Sequence, residues 1–132
     1  RELQINSPLA ESHLTKADVR KLCSDLGLSV SSKPSSPCMA TRLPYYTQIT
    51  KGDLRKIEAG ELALKAMGFT QVRVRKHGEI ARIELLETEM EQAFRQYKAI
   101  AEKLSAVGFH YVTLDLECFR SGSRDIHIKK EQ

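Results

Sequence analysis

An α+β fold follows from three observations in the 132-residue sequence. Residues 50–116 alternate between stretches of helical and of strand periodicity in the order α-β-β-α-β. Glycines stand at the ends of the helical stretches, at 68 and 108, and Gly78 stands between two alternating segments. Apolar content of 41% with 29% charged residues suits one compact core and does not indicate disorder. The expected architecture is a small, mainly antiparallel sheet with helices on one face.

Taken in order, residues 15–26 predict a helix. Thr15 is its N-cap, Asp18 falls in the first turn, and Gly27 stands at C′. Val19, Leu22, Cys23 and Leu26 share one face, which places Cys23 on a buried stripe as a small core hydrophobe. Residues 28–30 read as a short strand leading into a proline-rich loop. Thr50 caps a second helix with apolar positions Leu54, Ile57, Leu62, Leu64 and Met67, ended by Gly68. Residues 69–75 and 80–85 alternate with period two, and His77-Gly78 between them reads as a hairpin turn. Residues 88–107 form a third helix with Met90, Phe94, Tyr97, Ile100, Ala101 and Leu104 at three- and four-residue spacing. Residues 109–116 are the last strand, and Ser121-Gly122-Ser123 breaks regular structure in a polar tail.

The opening Arg1, with no start methionine, reads as a fragment or processed product. Residues 1–43 are expected to be the end of a larger α/β domain together with the cysteine loop, and residues 44–132 a carboxy-terminal α+β domain.

Formal net charge is +4, with Lys and Arg interleaved with Glu and Asp and no basic-aromatic stripe for stacking bases. Nucleic acid is therefore not an expected partner, whereas small anions are. Three cysteines without close spacing (Cys23, Cys38, Cys118) match neither a disulfide framework nor a zinc site, which suits free thiols in a reducing compartment. No apolar run is long enough to cross a membrane, and a cytoplasmic location is the default expectation.

Chemistry concentrates in Lys33-Pro34-Ser35-Ser36-Pro37-Cys38-Met39-Ala40-Thr41-Arg42-Leu43-Pro44-Tyr45. Prolines at 34, 37 and 44 fix φ, remove backbone donors and push the preceding residues toward extended geometry, so the loop is stiff and not regular structure. A lone cysteine is commonly an inert core hydrophobe. Pro37 before Cys38, and the lack of an apolar run around it, argue against burial here. Thr41 and Arg42 close behind could hold a phosphate or carboxylate beside the sulfur, and the cation favours a thiolate.

If His77 and Gly78 form the hairpin loop, Arg75 opposes Ile80, Arg73 opposes Arg82 and Gln71 opposes Glu84. Two arginines face to face repel unless an anion lies between them, so Arg73, Arg75 and Arg82 form a candidate anion clamp. A solvated arginine-bearing sheet face is the plainer alternative. His77 could be a base for a cysteine hydrolase, although no flanking signature supports it. Among acids, Glu58, Glu61, Glu84, Asp115 and Glu117 could bind a cation or move a proton. His13, His77, His110 and His127 show no metal-ligand spacing.

The runs KPSSPCMATRLPY, TQIT, QVRVRKHGEIARIEL and GFHYVTLDLECFRSGS together resemble the carboxy-terminal half of ATP-dependent sacrificial sulfur transferases. These belong to the PP-loop ATP pyrophosphatase superfamily and act in assembly of the nickel-pincer nucleotide cofactor of lactate racemase. The resemblance extends in order over nearly the whole chain from Ser7. It implies that ATP adenylates a carboxylate of a pyridinium mononucleotide and that Cys38 donates its sulfur, leaving dehydroalanine. It also implies that Thr41, Arg42, Arg73 and Arg75 hold the substrate phosphate, and that Glu61 and Glu84 are candidates for a metal or proton-transfer site. ATP and Mg2+ would bind mostly outside this chain, with no tightly held cofactor within it, and a homo-oligomer is implied.

The sequence departs from that family where glycine is usual at the positions of Tyr46 and Cys118, and it contains no glycine-rich phosphate loop. A non-catalytic assembly or binding module, and a PP-loop relative that thiolates or amidates another substrate such as tRNA, are the competing expectations.

Overall fold

A computed structural model of the chain describes residues 6–33 and 37–120. Pro34, the Ser121-Gly122-Ser123 break and His127 lie outside the described residues. The chain divides into two compact units, residues 1–36 and 37–132. Residues 37–43, grouped with residues 1–36 on sequence grounds, fall in the second unit.

In the first unit, a single turn α1 (Pro8–Glu11) precedes α2 (Lys16–Asp25). Thr15 and Asp18 form a reciprocal capping box, and Gly27 takes φ +68° just beyond the last turn, as the sequence requires. The expected burial does not follow. No residue of α2 is buried, Leu22 and Leu26 are 47% and 73% exposed, and Cys23 is half-buried. Local capping signals make the helix, but its apolar stripe has no core beneath it among the described residues. Residues 28–30 are turns and not a strand, with Ser31 N–H donating to Leu28 O.

In the second unit, α3 (Lys51–Ala66) is capped by Thr50, whose hydroxyl accepts from Asp53 N–H. It is followed by β1 (Arg73–His77), β2 (Ile80–Glu84), α4 (Met90–Arg95), α5 (Tyr97–Ala106) and β3 (Tyr111–Leu114). The long third helix is thus two, parted at Gln96, whose N–H is shared between Gln92 O and Ala93 O. Phe94 and Tyr97, assigned to its apolar face, are mostly exposed. The sheet has the order β1-β2-β3, with β1 and β2 antiparallel and β2 and β3 parallel. It is mixed because α4 and α5 carry the chain back across one face before β3 pairs with β2.

Leu64, Phe69, Val72, Val74, Ala81, Ile83, Leu85, Ile100, Leu104 and Phe109 form the core between sheet and helices. Gly60 permits the close approach of α3, since a Cβ there would stand 3.1 Å from Leu104 Cδ2. On α3 the sequence reading placed Leu62 inward. The structure exposes Leu62 and buries Glu61 instead.

The hairpin register differs by one loop position from the sequence reading. Its loop is Gly78-Glu79, and His77 stays in the ladder opposite Ile80. Gly78 has φ +60° and takes the first loop position, where tight hairpin turns favour glycine. Arg75 therefore faces Arg82, and Arg73 faces Glu84.

Candidate functional site

Cys38 is exposed and caps a 3-10 turn, Met39–Arg42, with its Sγ accepting from Ala40 N–H at 3.4 Å. The proline-rich loop thus contains one short turn of regular structure, tighter than an α-helix and compatible with prolines on both sides. No imidazole or carboxylate touches Sγ among the described residues, so the Cys38–His77 hydrolase pairing is not assembled. His77 remains at the hairpin end.

The turn is locked from below. Arg42 is 5% exposed and grips Glu61 with two contacts, Nε to Oε1 at 2.8 Å and Nη2 to Oε2 at 3.3 Å. Its Nη1 donates to Pro37 O, Cys38 O and Thr41 Oγ1 at 3.1, 3.4 and 3.0 Å. Glu61 Oε1 also accepts from Val74 N–H at 3.2 Å, on the free edge of β1. One buried ion pair therefore ties α3, the edge strand and the cysteine turn together. Thr41 donates its hydroxyl proton to Cys38 O at 2.7 Å, so it too is used in shaping the turn.

Arg75, on the sheet face opposite the core, is also 5% exposed. It forms a two-point pair with Glu84 through Nε–Oε1 and through Nη2–Oε2, the latter at 3.0 Å, and its Nη1 donates to Thr41 O at 3.0 Å. Arg82 Nη2 reaches the same Glu84 Oε1 at 3.1 Å, and its Nε lies 3.5 Å from Asp115 Oδ2. That Nε is shielded from solvent without a geometrically sound hydrogen bond, so the Asp115 contact is an ion pair only. The anion that the facing arginines Arg75 and Arg82 call for is thus the protein's own Glu84.

Arg73 differs. Its guanidinium carbon stands 4.2 Å from the centroid of the Phe119 ring, and no hydrogen bond or ion pair to its side chain occurs among the described residues. Burial, then the charges of Arg42 and Arg75, push its pKa below the usual arginine value, against a partial offset from Glu84 and Glu61. His77 is likewise held below the ordinary histidine value, by burial first and then by Arg82 and Arg75, with Glu84 opposing. The wall behind Cys38 is therefore positive. Arg42, Arg73, Arg75 and Arg82 stand against three carboxylates, Glu61, Glu84 and Asp115.

Glu61 and Glu84 do not fit a divalent cation in this arrangement. Both oxygens of each are engaged by guanidinium groups, and no group of three or more His, Cys, Asp or Glu is placed to hold a metal among the described residues. Glu58 is exposed on α3, and Asp115 Oδ1 accepts from Glu117 N–H at 2.9 Å. No helix among the described residues is long and apolar enough to cross a membrane.

The structure leaves Cys38 exposed and Arg73 without a carboxylate partner among the described residues, and sequence reasoning missed both the Phe119 ring against Arg73 and the structural use of Arg42. The clue to Phe119 was adjacent. Tyr46 and Cys118, the two positions at which the resemblance leads us to expect glycine, both have φ +60°. Their backbones take the left-handed turn that glycine adopts most readily, and the turn at Cys118 delivers Phe119 to Arg73.

Fold and site together define a small α+β domain presenting a surface cysteine against an arginine-rich wall. No family profile matches the chain. It is 39% identical over 131 residues to the pyridinium-3,5-bisthiocarboxylic acid mononucleotide synthase of Lactiplantibacillus plantarum, covering 99% of this chain and 48% of that protein. It is 41% identical over 119 residues to an uncharacterized protein of Synechocystis, covering 88% of this chain and 44% of that protein. A protein of Methanocaldococcus jannaschii, also uncharacterized, is 30% identical over 120 residues, or 91% of this chain and 46% of its own length. The chain spans about half the length of the curated relatives it matches.

Proposed function

We propose that this chain carries the sulfur donor of an ATP-dependent sulfur transferase that forms a thiocarboxylate on a pyridinium mononucleotide. The observation that carries the reading is Cys38. It is exposed on a turn fixed by Arg42–Glu61, beside a positive wall that includes Arg73, unpaired among the described residues. Similarity over 99% of the chain to a pyridinium bisthiocarboxylate mononucleotide synthase supports the substrate class.

In the proposed reaction the substrate carboxylate is first joined to AMP, with pyrophosphate released. The Cys38 thiolate attacks the acyl carbon and AMP leaves, giving a thioester. Loss of the Cys38 Cα proton to a base then expels the thiocarboxylate, because the Cβ–Sγ bond breaks as the Cα–Cβ double bond of dehydroalanine forms. A sulfur that is consumed needs an exposed thiol and no recycling partner, in keeping with an Sγ that meets no imidazole or carboxylate among the described residues. Arg73 holds the substrate phosphate with its in-plane donors, and Arg75 contributes charge from beneath. Thr41 and Arg42 act on the phosphate only indirectly, by fixing the turn. Adenylation, with ATP and Mg2+, is proposed for residues outside these 132, and a cytoplasmic homo-oligomer remains part of this proposal.

In the full-length protein, Cys38→Ala is expected to abolish thiocarboxylate formation while pyrophosphate release continues. Product formation by the variant would overturn the reading.

A second reading rests on a different observation. Ile83, Ala93, Phe94, Tyr97, Val112 and Leu114 line an open apolar groove of about 200 Å³ beside the edge strand β3. It fits an assembly role, for which light scattering before and after Phe94→Glu is the check. An unchanged oligomeric state would remove that role from the groove.

A further inference from the structure

Glu84 lies directly across the ladder from Arg73, yet its carboxylate turns to Arg75 and Arg82. Arg73 is left in the field of Arg42 and Arg75, partly desolvated, with the Phe119 ring as its side-chain partner among the described residues. Like-charge repulsion would drive an untethered arginine side chain out toward solvent. Something holds it in place without neutralising it.

We propose that Phe119 is a positioning residue for substrate binding. Its ring covers one face of the Arg73 guanidinium and leaves the in-plane N–H donors for the substrate's phosphate. This rests on the proposed role of Arg73 in holding that phosphate. An aromatic face attracts a cation without accepting its in-plane hydrogen bonds. A carboxylate in the same position would hold Arg73 more firmly, but it would occupy the donors that the incoming anion needs.

The backbone sets the ring in place. Asp115 N–H donates to Ile83 O at 2.8 Å, continuing the β2–β3 pairing past the end of β3. Cys118 N–H then donates to Asp115 O at 3.2 Å, and Glu117 N–H to Asp115 Oδ1 at 2.9 Å, closing a tight turn. Cys118 takes its left-handed conformation there, and Phe119 N–H bonds to Leu85 O at 2.7 Å. Leu85 follows Glu84, the ladder partner of Arg73, so a ring anchored at this point comes to lie over Arg73. Asp115 meanwhile faces Arg82, so the same turn joins the two arginines that border the open face of the wall.

The test titrates the full-length protein with nicotinic acid mononucleotide, a pyridinium mononucleotide with one carboxylate and one phosphate, by calorimetry. Inorganic phosphate serves as competitor. Phe119→Leu keeps apolar bulk but removes the π face, and is expected to raise Kd about five- to tenfold with Tm unchanged. Phe119→Tyr is expected to restore binding to within about twofold of the parent. In an Arg73→Gln background, Phe119→Leu is expected to have no further effect. Parent-like binding by Phe119→Leu would overturn the inference, as would an equal loss in the Arg73→Gln background, which marks a purely structural effect. If Arg73→Gln itself binds as the parent does, or the parent binds neither probe, the phosphate role of Arg73 falls and the inference falls with it.

Discussion

The floor and the rim of the arginine wall use the same side chain for opposite purposes. On the floor, Arg42 and Arg75 are 5% exposed, each fork is matched to one glutamate, and both donate further to carbonyls or a hydroxyl of the cysteine turn. At the rim, Arg73 is half-buried and meets a phenyl ring in place of a carboxylate. A paired, buried arginine has satisfied its donors and fixes structure. An arginine held only through its face keeps donors available for a ligand. Residue type alone does not separate the two roles, but pairing does.

The largest effect on stability is expected at the floor. Glu61→Ala leaves Arg42 buried without its counter-charge and costs about 3–5 kcal/mol by urea denaturation. Arg73→Ala is expected to cost less than about 1 kcal/mol, because it breaks no hydrogen bond or ion pair among the described residues, while phosphate affinity is lost. Comparable stability losses for the two variants would erase the distinction between floor and rim.

A smaller effect sharpens the same contrast through the other thiols. Cys118→Gly suits the left-handed backbone at that position and is expected to raise stability by up to about 1 kcal/mol while leaving sulfur transfer intact. Loss of transfer in this variant would make Cys118 part of the chemistry and would remove the unique role of Cys38.

The smallest effect reports the field of the wall. His77 has a folded-state pKa below its unfolded value of about 6.5. The unfolded chain therefore binds more protons in the window below that value. Stability is full above about pH 6.5 and declines as pH falls from there toward the lowered folded pKa, modestly, since the side chain is partly solvated. His77→Gln is expected to flatten that part of the profile. Adding phosphate, an anion near Arg75 and Arg82, is expected to raise the His77 pKa in an NMR titration. An unmoved pKa would place phosphate elsewhere.

What the sequence made legible was local. The Thr15 and Thr50 caps, the glycine terminators at 27, 68 and 108, and the alternation of Val72 and Val74 each depend on neighbours within a few residues, and each appears in the structure. The exposure of Cys38 followed from the flanking prolines in the same way. The hairpin register was missed because it turns on which loop position Gly78 occupies, and shifting that position re-pairs every arginine on the strand. The Arg42–Glu61 pair joins residues 19 apart in sequence, and no periodicity identifies which of several glutamates turns inward. Leu62 and Glu61 show this directly, since the apolar neighbour is outside and the charged one is inside. Burial of the α2 stripe could not be read from amphipathicity alone. A stripe predicts a need for cover and does not supply the cover.

The central claim is that the Cys38 sulfur leaves with the product. Intact-mass and peptide-mapping spectrometry of the full-length protein after a single turnover tests it most directly. The account predicts loss of one hydrogen sulfide per product molecule, localised as dehydroalanine at residue 38, with Cys23 and Cys118 unchanged. Product formation with an intact thiol at Cys38 would contradict it.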